Sequence, residues 1–397
     1  MGAVDLMTKW ICSQLGAREN YAVARALHRE QKLGALYTDV WVRPGELAYR
    51  WIRNRFSNDL SEADVRHFSN RFVFQKLIER VGFERHPDEF YDSLVANDLL
   101  ARKERDSIFF SYSYASLRSL EVAKQLGYRT ILGQINPGPV EADIVSREFR
   151  KFQNGRYPPT IPGKEYWERW RREIELSDVV MVNSEWSMRL LIEAGVDGKK
   201  IAVVPLAYEA PTTTFHRSFA DSFNESRPLR LLYLGGIGIR KGFHLLIEAM
   251  RSTRNLPVTL DVVGNLKGPA ELLEDLPANV LYHGHVSNIQ TLKYYTNADA
   301  LILPTLSDGF GLTQLESQNH KLPLIVSSHC ASVITHMKNG LILESLDTTG
   351  IINAIKTLID NPGLLRKFSG NSVEMEGYSL SRLARHLVNL ENHPALA

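Results

Sequence analysis

Short apolar runs alternate with stretches whose apolar residues recur every three or four positions, and this alternation carries through most of the chain. At the start, KWICSQL (9–15) is followed by the turn-like GAREN (16–20), the amphipathic YAVARALHREQK (21–32) and a second apolar run, ALYTDVWV (35–42). Strand, helix, strand is the order of a βαβ unit. DSIFFSYS (106–113), SLRSLEVAKQLG (116–127) and RTILGQI (129–135) repeat it, with Gly127 placed to end the helix. DVVMVNS (178–184), EWSMRLLIEAG (185–195) and KIAVVPL (200–206) repeat it again, with Ser184 placed to cap the helix start.

Between these units the rhythm breaks. Residues 45–105 are polar-rich and helix-like with little strand character, which predicts a helical insertion on the side of the first domain. KEYWERWRREIELS (164–177) is helical, aromatic and charged; its apolar stripe is short, so packing against its own domain is expected over a membrane-surface role. Residues 207–228 lose periodicity and collect Pro, Thr, Ser and Asn, the composition of a linker. The alternation then restarts: LRLLYLG, GFHLLIEAMRST, VTLDVVG, PAELLEDL, VLYHGHV, SNIQTLKYYTNA, DALILPT, a helix from Leu312, LPLIVSS and GLILE. Apolar strands alternating with helices predict parallel sheets covered on both faces. The expected architecture is α/β: a Rossmann-like, doubly wound domain over 1–210, a linker over 211–228, a second such domain over 229–375, and a C-terminal helix within 376–397 that returns to the first. A ligand cleft is expected where the strand ends of the two domains face each other.

A chain of 397 residues is long enough for two separate cores. Its net charge of +2, with no long Lys/Arg run, argues against nucleic acid as a partner. The two cysteines, Cys12 and Cys330, give neither a disulfide framework nor a zinc pattern and suit a reducing compartment. No apolar run approaches the ~18 residues of a membrane span. The opening MGAVDLMTKWICSQLG lacks the basic head and long apolar stretch of a signal peptide. A cytoplasmic protein is expected, with membrane contact no more than peripheral, at the inner face.

Two loops could carry chemistry. In LYLGGIGIRKGFHLLIEAM a strand ends at Gly235, a glycine-rich turn includes Gly236, Arg240 and Lys241 follow, and a helix begins near Gly242. Backbone amides at a helix start beside a lysine attract phosphate, although glycine turns between strand and helix also serve purely structural ends. In LSDGFGLTQLES (306–317) the chain turns at the carboxyl edge of the sheet and enters a helix, with Asp308 and Glu316 eight positions apart. Carboxylates offer several lone pairs to sugar hydroxyls. Asp308 could take one polyol and Glu316 the vicinal hydroxyls of a ribose, with a diphosphate on the helix end between them.

From about residue 178 the chain resembles the retaining glycosyltransferases of family 4, which have the GT-B architecture of two facing Rossmann-like domains. SDVVMVNSEWSMRLLIEAGVDGKKIAVVPLAYE, GGIGIRKGFHLLIEA, YHGHVSNIQTLKYYTNADALILPTLSDGFGLTQLES and KLPLIVSSHCASVITHMKNGLIL carry the likeness, in the family's order and spacing. It implies metal-independent, cofactor-free transfer of a sugar, with retention, from a nucleoside diphosphate sugar (UDP favoured) to a hydroxyl acceptor such as a glycan or glycolipid. It also implies roles: Glu316 on the ribose, Asp308 on the transferred sugar, Lys241 on the diphosphate with Arg240 beside it, and Val286 near the base. The turn Gly309, Phe310, Gly311, Leu312 and Thr313 would line the sugar and phosphate site, Gly235 and Gly236 the phosphate turn, and Gly16 would let the donor phosphate approach. GARENYAVARALH resembles one bacterial branch of the family, which assigns no role to Arg18 or Glu19. The histidine that the family often carries in its first domain has no counterpart in SYSY or QINPGP, leaving Gln134, Asn136 and Glu141 as candidates there.

The sequence also departs from the family. Asp308 stands where Glu is usual, Gly236 replaces a frequent arginine so that Arg240 is the remaining guanidinium nearby, Lys321 replaces a glycine, and HCAS replaces a glycine-containing loop. These changes bear on the sugar and on turnover, and they keep open a catalytically weak or inactive relative that binds nucleotide or a partner protein. A sugar-nucleotide 2-epimerase shares the architecture but arranges its acids and histidines differently.

Overall fold

The computed structural model describes residues 8–72, 86–102, 106–152, 162–209 and 215–396. Two parallel sheets organise them. The first contains β1 (Trp10–Gln14), β2 (Leu33–Thr38), β3 (Val65–His67), β4 (Ile108–Tyr112), β5 (Arg129–Gly133), β6 (Val179–Val182) and β7 (Ile201–Val203), in the order β3-β2-β1-β4-β5-β6-β7. The second contains β8 (Leu229–Leu234), β9 (Val258–Val263), β10 (Val280–Tyr282), β11 (Ala300–Leu303), β12 (Leu324–Val326) and β13 (Gly340–Ile342), in the order β10-β9-β8-β11-β12-β13.

Both sheets are apolar on both faces because alternate residues of each strand enter different cores. Trp10, Cys12, Phe110, Ile131 and Val179 fill one side of the first sheet, and Ile11, Phe109, Leu132 and Val180 the other. In the second sheet Leu231, Tyr233, Leu260 and Ile302 face one way, and Leu232, Val263, Leu301 and Leu303 the other. The helix Leu380–Leu390 sends Leu380, Leu383, Ala384 and Leu387 into the first sheet's core beside Trp10 and Leu27. Just past it, Glu391 accepts hydrogen bonds from Trp10 Nε1 and Lys32 Nζ, both at 2.8 Å.

Three expectations need correction. Residues 45–105 are not helical throughout: β3 pairs with β2 at the sheet edge, and the helix Pro87–Leu99 packs against the helix Leu117–Gln125. A three-residue edge strand with one apolar side chain leaves no periodic signal; residues 73–85 and 103–105 of this stretch lie outside the described set. PAELLEDL forms only a 3-10 turn, Ala270–Leu273, confined between Pro269 and the left-handed Asp275 (φ 56°). ALYTDVWV leaves the sheet after Thr38, so that Asp39 turns back toward β1.

The helix Lys164–Leu176 buries Trp170, Glu173 and Ile174 against its own domain. Of the linker stretch, residues 210–214 lie outside the described set. Beyond them Arg217 donates to the carbonyls of Tyr295 (2.9 Å) and His320 (3.2 Å), which docks the segment on the second domain at two helix ends.

Candidate active site

β1 and β8 each occupy the position at which their sheet's strand order reverses, the place where parallel α/β sheets receive ligands. The turn after each opens on the same cleft, of about 630 Å³. Gly16, Arg18 and Glu19 line it from the first domain, and Gly235, Gly236 and Lys241 from the second. The loop after β11 supplies a third wall, Asp308 through Thr313, while Asn183 and Leu206 reach it from the first domain.

Glycine is required where the backbone closes on itself. Gly242 has φ 68°, and a Cβ there would lie 1.8 Å from the carbonyl oxygen of Pro304. That contact seats the Arg240–Lys241 turn against β11 and starts the helix Phe243–Ser252. Gly16 has φ 80°, and its amide donates to Asp39 Oδ1 at 2.9 Å; Asp39 is held in turn by Arg55 Nη1 at 2.8 Å.

Lys241 Nζ forms an ion pair with Asp308 Oδ2, and Arg240 Nη1 lies 3.6 Å from Asp308 Oδ1 while donating to the Ser307 carbonyl at 3.0 Å. Burial alone would raise the Asp308 carboxyl, but the two cations outweigh it and hold it below the usual range. Asp308 is therefore a half-buried anion that already has a partner. Its amide is fixed as well, donating to the His329 carbonyl at 2.9 Å.

Ten of the thirteen site residues expected from the sequence meet on this cleft; Arg240, Val286 and Glu316 do not line it. Arg240 turns toward Ser307 and Asp308, and Val286 packs half-buried against the core of the second sheet. Glu316 sits one turn into the helix Thr313–Asn319, half-buried, and accepts a hydrogen bond from the Tyr295 hydroxyl. Burial and then the charge of Glu316 push the Tyr295 phenol well above its usual range, so it remains a donor. Tyr208, just before the linker, lies close enough to feel the same charge.

Among the first-domain candidates, Gln134 and Asn136 are spent on structure: Gln134 bonds Trp170 Nε1 and the Asn136 carbonyl, and the Asn136 side chain accepts from the Tyr114 hydroxyl. Glu141 is buried behind the turn; burial raises its carboxyl against the pull of Arg240, and its Oε2 has no hydrogen-bond partner among the described residues.

The sequence reading gave no role to the residues that stand out here. Glu19, Asn20 and Tyr21 adopt three successive left-handed conformations (φ 51°, 50° and 59°), each costing a non-glycine residue about 1 kcal/mol or more. The kink holds Glu19 on the cleft wall, where burial pushes its carboxyl up to about 7 against the opposing effect of Arg18. Arg18, packed over the Tyr112 ring, adds a second guanidinium to the site, so Arg240 is not the sole one. Over Gly236 the space for a larger side chain is taken by Lys267, whose Cγ would be 3.1 Å from a Cβ there. No signal marked Glu19 beforehand, because a left-handed run of non-glycine residues has no composition that betrays it.

The domains also touch directly. Trp186 Nε1 donates to Ser307 Oγ at 2.9 Å, and its ring stacks on His329 at 4.2 Å.

Comparison with known proteins agrees with this layout. Residues 228–361 match the family model described as glycosyl transferases group 1. The structure of Anabaena HepE in complex with UDP and glucose superposes with a TM-score of 0.60 at 14% identity, covering 97% of this chain and 99% of that one. The fold is GT-B. At the sequence level, a 41.2 kDa uncharacterized protein from the cps region of Klebsiella pneumoniae is 22% identical over 200 residues, 47% of this chain and 55% of that protein. Glycogen synthase of Mycobacterium tuberculosis is 26% identical over 158 residues, 38% of each. The matched stretch thus spans about half or less of these relatives' length. In the GT-B frame, the loops after β1, β8 and β11 form the facing rims of the two domains.

Proposed function

We propose that the chain is a glycosyltransferase of the retaining, family 4 kind, which moves a sugar from a nucleoside diphosphate donor, UDP favoured, to a hydroxyl acceptor without a metal. The observation that carries this reading is the convergence of both strand-order reversal points with Lys241 and Asp308 on one cleft of ligand size. The match of residues 228–361 and the UDP held by the structural neighbour support it.

As the bond between the sugar and the diphosphate breaks, its electrons pass to the phosphate oxygen. Lys241, with Arg18 across the cleft, would meet that charge. Asp308 would hold Lys241 in position and accept from a hydroxyl of the sugar; the acceptor's proton passes to the departing phosphate. Glu316, turned to Tyr295 and off the cleft wall, would take the ribose by exchanging its Tyr295 hydrogen bond for the ribose hydroxyls. The setting proposed is the cytoplasmic face of a membrane.

A second reading, a nucleotide binder without turnover, is favoured by one observation: Lys241 is already neutralised by Asp308. Thermal unfolding with UDP-, GDP- and ADP-sugars tests the common element, since a ligand at about 100 times its Kd adds roughly 2.7 kcal/mol to native stability. No response to any of the three sinks both readings. Donor consumption with EDTA present, across a panel of acceptors, then separates enzyme from binder.

A further inference from the structure

The loop between Arg43 and Arg55 is built with an inside and an outside. Inside, Phe56 packs on Trp41 (centroids 5.2 Å apart) and Tyr49 (6.2 Å), which ties the loop to the first domain. Outside, Leu47 is 84% and Trp51 81% exposed. They stand four residues apart across the 3-10 turn Leu47–Arg50, closed by Trp51 N to Ala48 O at 3.0 Å. Arg43, Arg50 and Arg53 are exposed around them, and among the described residues none of the three makes a side-chain hydrogen bond or ion pair. Glu46 is the single acid between Arg43 and Arg55.

Two large apolar side chains left in water and rimmed by unpaired guanidinium groups match the layered chemistry of an anionic lipid surface. Tryptophan settles at the headgroup boundary, and arginine pairs with phosphate above it. The loop is also tied to the cleft. Arg55 bonds Asp39, which holds the amide of Gly16 on the cleft wall, and four residues of chain, at most about 14 Å, separate Trp51 from Arg55.

We propose that the Leu47/Trp51 patch with Arg43, Arg50 and Arg53 docks the protein on an anionic lipid bilayer, presenting the cleft to an acceptor anchored in that bilayer. The acceptor clause rests on the glycosyltransferase reading; the docking does not.

The test is co-sedimentation of the full chain with vesicles of phosphatidylglycerol and phosphatidylcholine in equal parts, against vesicles of phosphatidylcholine alone. The parent should sediment with the anionic vesicles and stay in solution with the neutral ones. Replacing Arg43, Arg50 and Arg53 together with Ser should cut the partition on the order of a hundredfold, at about 1 kcal/mol for each arginine near an anionic surface. Leu47→Ser with Trp51→Ser should reduce it at least tenfold even in dilute salt, where the charges act most strongly. All five side chains are exposed, so each variant should melt as the parent does and respond equally to a sugar nucleotide. The proposal is overturned if the parent ignores anionic vesicles, or if variants with the parent's melting point bind them equally well. Self-association of the parent that Trp51→Ser abolishes, without vesicle binding, overturns it in favour of a second copy of the chain. Vesicle binding with no response to any sugar nucleotide leaves docking standing and removes the donor reading instead.

Discussion

Glu19→Gln should make the protein more stable above neutral pH. In the folded chain burial raises the Glu19 carboxyl from 4.5 to about 7, which at 1.4 kcal/mol per pH unit amounts to about 3 kcal/mol. The sign follows from proton counting. Between those two values the native state binds more protons than the unfolded chain, so stability falls as pH rises through the window, and the whole cost is present above 7. Below 4.5 the group is protonated in both states and contributes nothing. Glutamine mimics the protonated acid and keeps the backbone, so the left-handed strain at 19–21 is unchanged. Because Glu19 retains some solvent contact, the expected gain is about 2 kcal/mol. Urea unfolding of both proteins below pH 4.5 and above pH 7 measures it: the two curves should coincide in acid and separate in base. Equal stability at both ends would mean that Glu19 is solvated as an ordinary surface acid and that the kink serves some other end.

Three further substitutions probe the scaffold of the site. Lys321 has φ 55°, so Lys321→Gly should stabilise the chain by about 1 kcal/mol, seen as a raised urea midpoint; a loss would mean that the lysine side chain makes a contact worth more than the strain. Asp92, fully buried, accepts from the amides of Arg118 and Ser119 at 2.8 and 2.9 Å, and Asp92→Ala should lower stability by about 3 kcal/mol by orphaning a helix start, with nucleotide affinity intact in the fraction that folds. Lys241→Met should abolish transfer and also reduce stability by about 2 kcal/mol, because it leaves Asp308 facing Arg240 alone. Since the cations hold the Asp308 carboxyl low, that difference should be present above its unfolded value of 3.8 and vanish as pH falls through the lower native one.

The two sheets could be read from the sequence because fully buried parallel strands write themselves as continuous apolar runs, as in VVMV and ALIL. The glycine turns and Lys241 were legible for a related reason: a strand that delivers the chain to a sheet edge also marks where ligands gather. What stayed hidden was tertiary. β3 depends on pairing with β2 rather than on its own composition, and the buried carboxylates Asp92 and Glu173 look like helix-surface acids until their amide partners at 114–119 are known. That Glu316 would point to Tyr295 rather than line the cleft depends on where the helix Asn288–Asn297 packs, which no local pattern encodes.

Asp308, Gly236 and the HCAS stretch, where the sequence departs from the pattern it resembles, meet around one cleft, and their positions argue that they belong to one arrangement. An aspartate at 308 is a methylene shorter than a glutamate, yet Lys241 reaches it, so the charge is met rather than stranded. The HCAS stretch contributes His329, which fixes the Asp308 amide through its own carbonyl and stacks on Trp186 of the opposite domain. Trp186 in turn donates to Ser307, the neighbour of Asp308 in the chain. The guanidinium absent at Gly236 is matched by Arg18 on the facing wall. Independent losses in a decaying site would leave unpaired buried groups around the carboxylate, each costing about 1–3 kcal/mol. Instead the substituted positions nearest Asp308 meet partners, while the buried Glu141 Oε2 beside them stays unpaired among the described residues, so the consistency expected of an intact binding site covers Asp308 but not Glu141.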